Sequence, residues 1–329
     1  MSIQDNANPF HDSSTTLATV FDLDVLLEEV VGALYAGKLH VSRYAGAAAD
    51  QERQKIKQVM GGMSVVLRVT EQNNWKMRSI SGAWRRIIMS IFGNALKYTQ
   101  AGFIEVSLCK FGKEPDTSMP EFAHLSITDT GCGMSADFLK NKLFSPFAQE
   151  DTLSEGVGLG MSIVQQLIGL MKGTIDVKSE PGTGTQVDIH IPISSVPASP
   201  TLLNNPTKTN KTQFCLIGFD GYSDLTEVPT GSLSREAKRR LCIQSFLTQV
   251  ITQHPDWSVS FAGTPTDAVC DVAIIEETTL ERMAADELLQ SPNTIDFSRL
   301  LVLRNGVPSS GALNLTNIKA DVVHTIHPP

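Results

Sequence analysis

The sequence predicts an α/β protein of two domains, on three observations. Its 329 residues exceed the roughly 150 that one domain averages. Residues 21–193 interleave runs of helical periodicity with runs of apolar–polar alternation, and residues 213–329 alternate strand and helix patterns to the end. Between the two, "SSVPASPTLLNNPTKTNK" has the Pro, Ser and Asn composition of a linker and marks a boundary at residues 194–212.

In chain order, residues 1–20 are polar and read as a disordered leader. "FDLDVLLEEVVGALYAG" has helical periodicity, and "SRYAGAAADQERQKIKQ" after it reads as a solvated insertion. "SVVLRVTE" is a strand, "GAWRRIIMSIFGNALKYT" a helix, and "GFIEVSLCKF" and "EFAHLSITDT" are strands. A glycine-punctuated stretch from Gly131 to Gly160 is too long for an ordinary connector and reads as a lid or binding loop. A helix from Leu159 to about Met171 leads into "GTIDVKSEPGTGTQVDIHIPI", two strands joined by a Gly/Pro turn.

Composition narrows the function classes. A net charge of -8 and a pI near 5.4 argue against nucleic acid or an anionic membrane as partner, since both require clustered Lys and Arg. No apolar run approaches the roughly 20 residues of a membrane helix, and "MSIQDNANPFHDSSTT" lacks the apolar core of a signal peptide. The five cysteines form no CxxC pair, which points to reduced thiols in an intracellular, cytoplasmic setting. Cys132, in a glycine turn, reads as small filler.

Three segments carry chemistry. "EGVGLGMSIVQQL" places three glycines before a helix but fails the dinucleotide fingerprint, because Met161 holds the third glycine's place and no strand precedes it. It also lacks the lysine of a Walker loop. A loop that delivers phosphates to the free N–H groups of a helix start remains, and so does a purely structural turn. In the helix around Asn94, Ser90, Asn94 and Lys97 share one edge beside an apolar arc of Trp84, Ile88, Ile91, Phe92 and Ala95. An asparagine carbonyl suits Mg²⁺ and a lysine one turn on can meet phosphate oxygens, although a plain helix surface gives the same pattern. In "ITDTGCGM" an aspartate ends an apolar strand before two glycines, where it could accept from a purine amino group or simply initiate a turn.

Taken in order, these segments resemble the ATP-binding domain of sensor histidine kinases, in the family that includes Hsp90, gyrase B and MutL. "NALKYT" resembles the asparagine box, "DTGCGM" the first glycine box, "LFSPF" the phenylalanine box, "GVGLGMSIV" the second glycine box and "GTGT" the closing one. The resemblance implies a two-layer α/β sandwich, a mixed sheet with helices on one face. It implies ATP and Mg²⁺ as cofactors, with Asn94 holding the metal, Lys97 touching phosphate and Tyr98 beside the adenine. Asp129 would accept from the adenine amino group, with Gly131 and Gly133 flanking the ring. Gly156, Gly158, Leu159 and Gly160 would close on the phosphates, and Thr185 would join the adenine network.

Two departures qualify the activity. The residue one turn before the magnesium asparagine is Ser90, neither the water-activating glutamate of Hsp90, gyrase and MutL nor the asparagine of the kinases, so hydrolysis is disfavoured. None of the seven histidines lies in the box of a phosphoacceptor helix. The helix from Asp22, "GAWRRIIM" and "CLIGFDGYSDL" resemble segments of fungal-type hybrid kinases, which implies the C-terminal portion of such a kinase, passing the γ-phosphoryl group to a histidine-bearing dimerisation domain and on to a downstream phosphorelay receiver. A regulatory pseudokinase module is the alternative. The second domain resembles an incomplete, doubly wound receiver without its last helix, with a generic flavodoxin-like module as the alternative: its third strand ends in Glu276 and Glu277 in place of the acceptor aspartate, Asp220 stands alone after the first strand, and His327 replaces the lysine.

Overall fold

Strict alternation in "GFIEVSLCKF" buries Ile104, Val106 and Leu108 and turns Phe103, Glu105 and Ser107 to the other face, the pattern of a strand with one core face. The computed structural model describes residues 18–44, 63–70, 75–112, 121–150, 156–196, 211–219, 234–285, 295–303 and 318–326. The first unit comprises β1 (Thr19–Asp22), α1 (Leu23–Tyr44), β2 (Met63–Val69), β3 (Lys76–Ser79), α2 (Ser81–Tyr98), β4 (Gly102–Phe111) and β5 (Glu121–Asp129). It continues with α3 (Ala136–Asn141), α4 (Gly160–Leu170), β6 (Thr174–Glu180) and β7 (Gly184–Ser195).

Its seven strands form one sheet in the order β1-β3-β7-β5-β4-β2, with β6 also paired to β7. Only β2 and β4 run parallel, joined through β3 and α2 as a parallel pair requires, so the sheet is mixed. Helices α1, α2 and α4 supply the second layer. In α2 the residues Trp84, Ile87, Ile88, Ile91, Phe92 and Ala95, spaced three and four apart, are all buried in a single core with Leu27, Val31, Ile127, Ile189 and Val164. This is the two-layer α/β sandwich that the resemblance implies.

The second unit comprises β8 (Thr212–Ile217), α5 (Arg235–Thr252), β9 (Trp257–Ala262), β10 (Val272–Glu276), α6 (Glu277–Ala285), β11 (Ile295–Leu303) and β12 (Ile318–Ile326). All of its strand pairs are parallel, in the order β12-β11-β10-β8-β9. Alternate residues of β8 and β10 feed opposite faces: Leu216 and Ile274 pack with Ile251 of α5, whereas Cys215, Ile217, Ala273 and Ile275 pack with Leu280 and Met283 of α6.

Several sequence expectations shift. Thr19 and Val20, assigned to the leader, pair with Ser79 and Arg78, so the first strand starts inside it. The linker assigned to 194–212 is shorter, because β7 runs to Ser195 and β8 starts at Thr212. Glu277 opens α6 instead of closing the third strand, its acidic side chain suiting a helix first turn. Residues 1–17, most of the 42–58 insertion, Asp220 and His327 lie outside the described residues.

Candidate nucleotide-binding site

The polar end of the site is built where β5 and β7 meet. Asp129 stands directly opposite Thr185 in the antiparallel register, which brings residues far apart in sequence side by side. The Gly131 amide donates to Asp129 Oδ1 at 2.8 Å. Burial raises the Asp129 carboxyl above its ordinary 3.8, opposed by hydrogen bonds from the backbone of Gly131 and Thr185 and by the Thr99 hydroxyl. Thr99, 1% exposed, sits beside this carboxyl just past the end of α2. Thr185 Oγ1 lies 2.9 Å from Ser179 Oγ, which also accepts from the Met134 amide at 2.9 Å.

The first glycine turn is stapled in place from both sides. The Cys132 amide donates to Tyr98 O at the end of α2 (3.3 Å), and the Gly182 amide donates to Cys132 O (2.7 Å). Gly133 has φ +68, and a Cβ there would fall 2.0 Å from Glu180 O, so the turn demands a bare backbone. Cys132 is exposed instead of packed as filler, and none of the five cysteines is in a disulfide.

The other end is built from α2 and the start of α4. Ser90, Asn94 and Lys97 lie on one edge of α2, Ser90 and Asn94 half-buried and Lys97 exposed. The Cβ position left empty at Gly156 is 3.6 Å from Lys97 Nζ, and that at Gly160 is 3.9 Å from Ser90 Cβ. The lid glycines and the polar edge of α2 therefore converge. No side chain caps α4 at Leu159, so its first amides remain available to an anion. Gly158, φ +74, packs its backbone against Phe147, where a Cβ would meet the main chain at 2.7 Å. The arrangement offers a buried acceptor at one end and a cation with free amides at the other, which fits a ligand with a polar heterocycle and an anionic tail. Tyr98, 39% exposed, has its ring 4.7 Å from Lys97 Nζ.

Residues 80–195 match the family described as histidine kinase-, DNA gyrase B- and HSP90-like ATPase. This segment is an ATP-binding domain of that superfamily, related to those of bacterial and fungal sensor histidine kinases. Virulence sensor protein BvgS of Bordetella bronchiseptica is 37% identical over 123 residues, 35% of this chain and 9% of its own length. Two-component system protein A of Emericella nidulans is 27% identical over 192 residues, 56% of this chain and 27% of its own. The chain thus spans about a quarter or less of the length of these two relatives. Full-length ShkA, solved in complex with AMPPNP, shares the fold with a TM-score of 0.50 at 19% identity, over 87% of this chain and 49% of that one.

Around this ATP-binding domain, sequence reasoning passed over Thr99, Ser179 and Gln149. Gln149, two residues after the phenylalanine box, donates to Gly156 O at 2.7 Å, and Glu150 accepts from the Ser135 amide at 2.9 Å. Only the position of Gln149 beside "LFSPF" signals it; nothing in an alternating strand marks Ser179. Phe147, in the phenylalanine box, is 70% exposed. Among the described residues no cluster of His, Cys, Asp and Glu could hold a metal, and no helix is long and apolar enough to cross a membrane.

Proposed function

We propose that the chain is the ATP-binding catalytic portion of a hybrid histidine kinase, which positions ATP for transfer of its γ-phosphoryl group to a histidine on a separate dimerisation domain. The observation that carries this reading is the convergence of Lys97, Ser90, Gly156 and the uncapped start of α4 on one edge of α2. Asp129 and Thr185 orient the adenine, Asn94 offers its carbonyl to Mg²⁺, and Lys97 with the lid amides holds the phosphate oxygens. ATP supplies the phosphoryl group and Mg²⁺ neutralises charge on its oxygens. No carboxylate stands one turn before Asn94 to activate water, which favours an imidazole over water as acceptor.

The parallel order β12-β11-β10-β8-β9, with apolar clusters on both faces, is that of flavodoxin-like doubly wound sheets and supports a receiver-like reading of the second unit. Ser90 favours a second function, a nucleotide-binding regulatory module without transfer. Incubation with γ-labelled Mg-ATP and a dimerisation domain bearing a histidine box separates the two. Acid-labile label on that histidine is the expected result; tight ATP binding with no label would establish the regulatory module.

A further inference from the structure

Arg239 is 1% exposed, an unusual burial for a guanidinium, and all five of its N–H donors are engaged. Nε and Nη2 donate to Glu236 at 2.9 and 2.7 Å, and Nη1 and Nη2 donate to Glu276 at 2.8 and 3.3 Å. The remaining donor of Nη1 reaches Ser64 Oγ at 3.0 Å, on β2 of the ATP-binding domain. The α5 helix that carries Arg239 lies between two sheets. Ile243, Leu247 and Ile251 pack on its own sheet, whereas Arg239, Cys242, Phe246 and Gln249, spaced along another face, meet the sheet face of β2 and β4 that points away from α2. There Arg68 donates to Glu105 at 2.8 Å, donates to Gln249, and lies 5.8 Å from the Phe246 ring centre. Beside this contact a cleft of about 610 Å³ remains open between Lys238 and Ser245 on one side and Thr128 and Gln186 on the other.

Glu276, also 1% exposed, ends the central strand β10. Ionised and buried, it is tolerable only when paired, and its two bonds fix the guanidinium in the one orientation that also presents a donor to Ser64.

We propose that the outer face of β2 and β4 is a docking surface whose occupant is α5 of this same chain, and that Glu276 is its latch, aiming Arg239 at Ser64. The strand-end acid serves domain docking. The contrast with a phosphoacceptor rests on the receiver-like reading above; the docking itself does not, and its test uses no nucleotide and no phosphoryl donor.

Cys242 reports on the latch. It is 4% exposed, and burial together with the negative charge of Glu105 across the contact pushes its thiol up, so it is inert while α5 is docked. Cys215, 1% exposed inside the second sheet, reports on the fold of that unit alone. The full chain is treated with iodoacetamide and the alkylation rate of each cysteine is read by peptide mass spectrometry. Glu276→Gln is expected to speed Cys242 at least about tenfold, because unpairing a buried charge exceeds the 1.4 kcal/mol that a factor of ten represents, while Cys215 stays protected. An unchanged Cys242 rate overturns the latch. Should Cys215 open as well, Ser64→Ala decides, since it removes only the bond between the units: a roughly two- to tenfold faster Cys242 with Cys215 protected sustains the proposal, and an unchanged rate overturns it.

Discussion

Lys97 Nζ lies 3.6 Å from the Cβ position that Gly156 leaves empty, so a helix ammonium and a lid glycine face one another across the space available to an anionic tail. Lys97→Met is therefore expected to weaken ATP and leave adenosine binding unchanged. A hydrogen bond to a charged group is worth about 1.5–3 kcal/mol, hence roughly 10- to 100-fold in affinity. Titration calorimetry with both ligands checks it; an equal loss for adenosine would move Lys97 out of the phosphate region.

Asp129→Asn probes the other end. The asparagine carbonyl can still accept from the Gly131 amide, but its NH₂ opposes a purine amino group, so ATP affinity should fall roughly 10- to 100-fold. The ligand-free domain should melt no lower than before, because the replaced carboxyl is raised by burial and its ionised form already costs the folded state. The sign for ligand binding is opposite: the ionised acceptor is lost as pH falls through the raised value, so ATP affinity should decline at a pH above the ordinary 3.8. Loss of melting temperature without loss of affinity would make Asp129 a structural turn residue.

The periodic elements were legible because their burial is local. The apolar arc of α2 and the alternation of β4 and β5 can be counted from the residues themselves, and the structure keeps them. Lys76–Ser79 was not legible: four residues with a single buried side chain, Met77, carry too little pattern to distinguish a strand. Short α3 escaped for the same reason, although Ser135 caps it by accepting from the Phe138 amide at 3.3 Å. The order of the glycine boxes pointed to Asp129 and Thr185 separately, but their pairing depends on β7 lying beside β5, a non-local fact. Arg239 was invisible for a different reason. On a helix as polar as "REAKRRLCIQSFLTQVIT" an arginine reads as solvated surface, and only a second sheet packed over α5 buries it.

A row of side chains across the same outer face predicts acid sensitivity. His124 and His190 stack with ring centres 4.4 Å apart, and His124 Nε2 is 3.0 Å from Asp188 Oδ1. Burial, then the charge of His124, holds His190 below its ordinary 6.5; against burial, hydrogen bonds from Ser126, His124 and Gln186 hold Asp188 below 3.8. Both groups contribute stability above their unfolded values that is lost as pH falls: His190 through the region below 6.5, Asp188 below 3.8. His190→Phe should flatten the decline of melting temperature in the upper window and leave the lower one. An unchanged profile would assign that decline to other groups.

Ser90 sets the metal prediction. Its Cβ is 3.9 Å from the empty Cβ position of Gly160, at the start of α4, so a longer amide at this position projects toward the phosphate end. Ser90→Asn is expected to increase the gain in ATP affinity on adding Mg²⁺, and Asn94→Ala to abolish that gain. Calorimetry with and without Mg²⁺ reads both, and full Mg²⁺ dependence in Asn94→Ala would remove Asn94 from the metal site.

The second unit should not accept a phosphoryl group. Transfer requires a carboxylate oxygen to attack phosphorus in line, with a cation near the leaving charge and room for the donor. Glu276 offers none of that room: it is 1% exposed, both of its oxygens accept from Arg239, and Arg240 stands 3.6 Å away. A phosphoryl group there would displace Arg239 from a buried site and strand its charge, a change that costs several kcal/mol in a low-dielectric interior. Even with the arginine removed, a glutamate reaches one methylene beyond an aspartate, and a misplacement of about 1 Å can cost roughly 10²-fold in rate. Incubation with Mg²⁺ and acetyl phosphate is therefore expected to leave the intact mass unchanged, both in the unaltered chain and in Arg239→Met. An acid-stable, base-labile phosphoryl group on Glu276 in either protein would show that the strand-end carboxylate is released in solution and would restore the second unit to the phosphorelay.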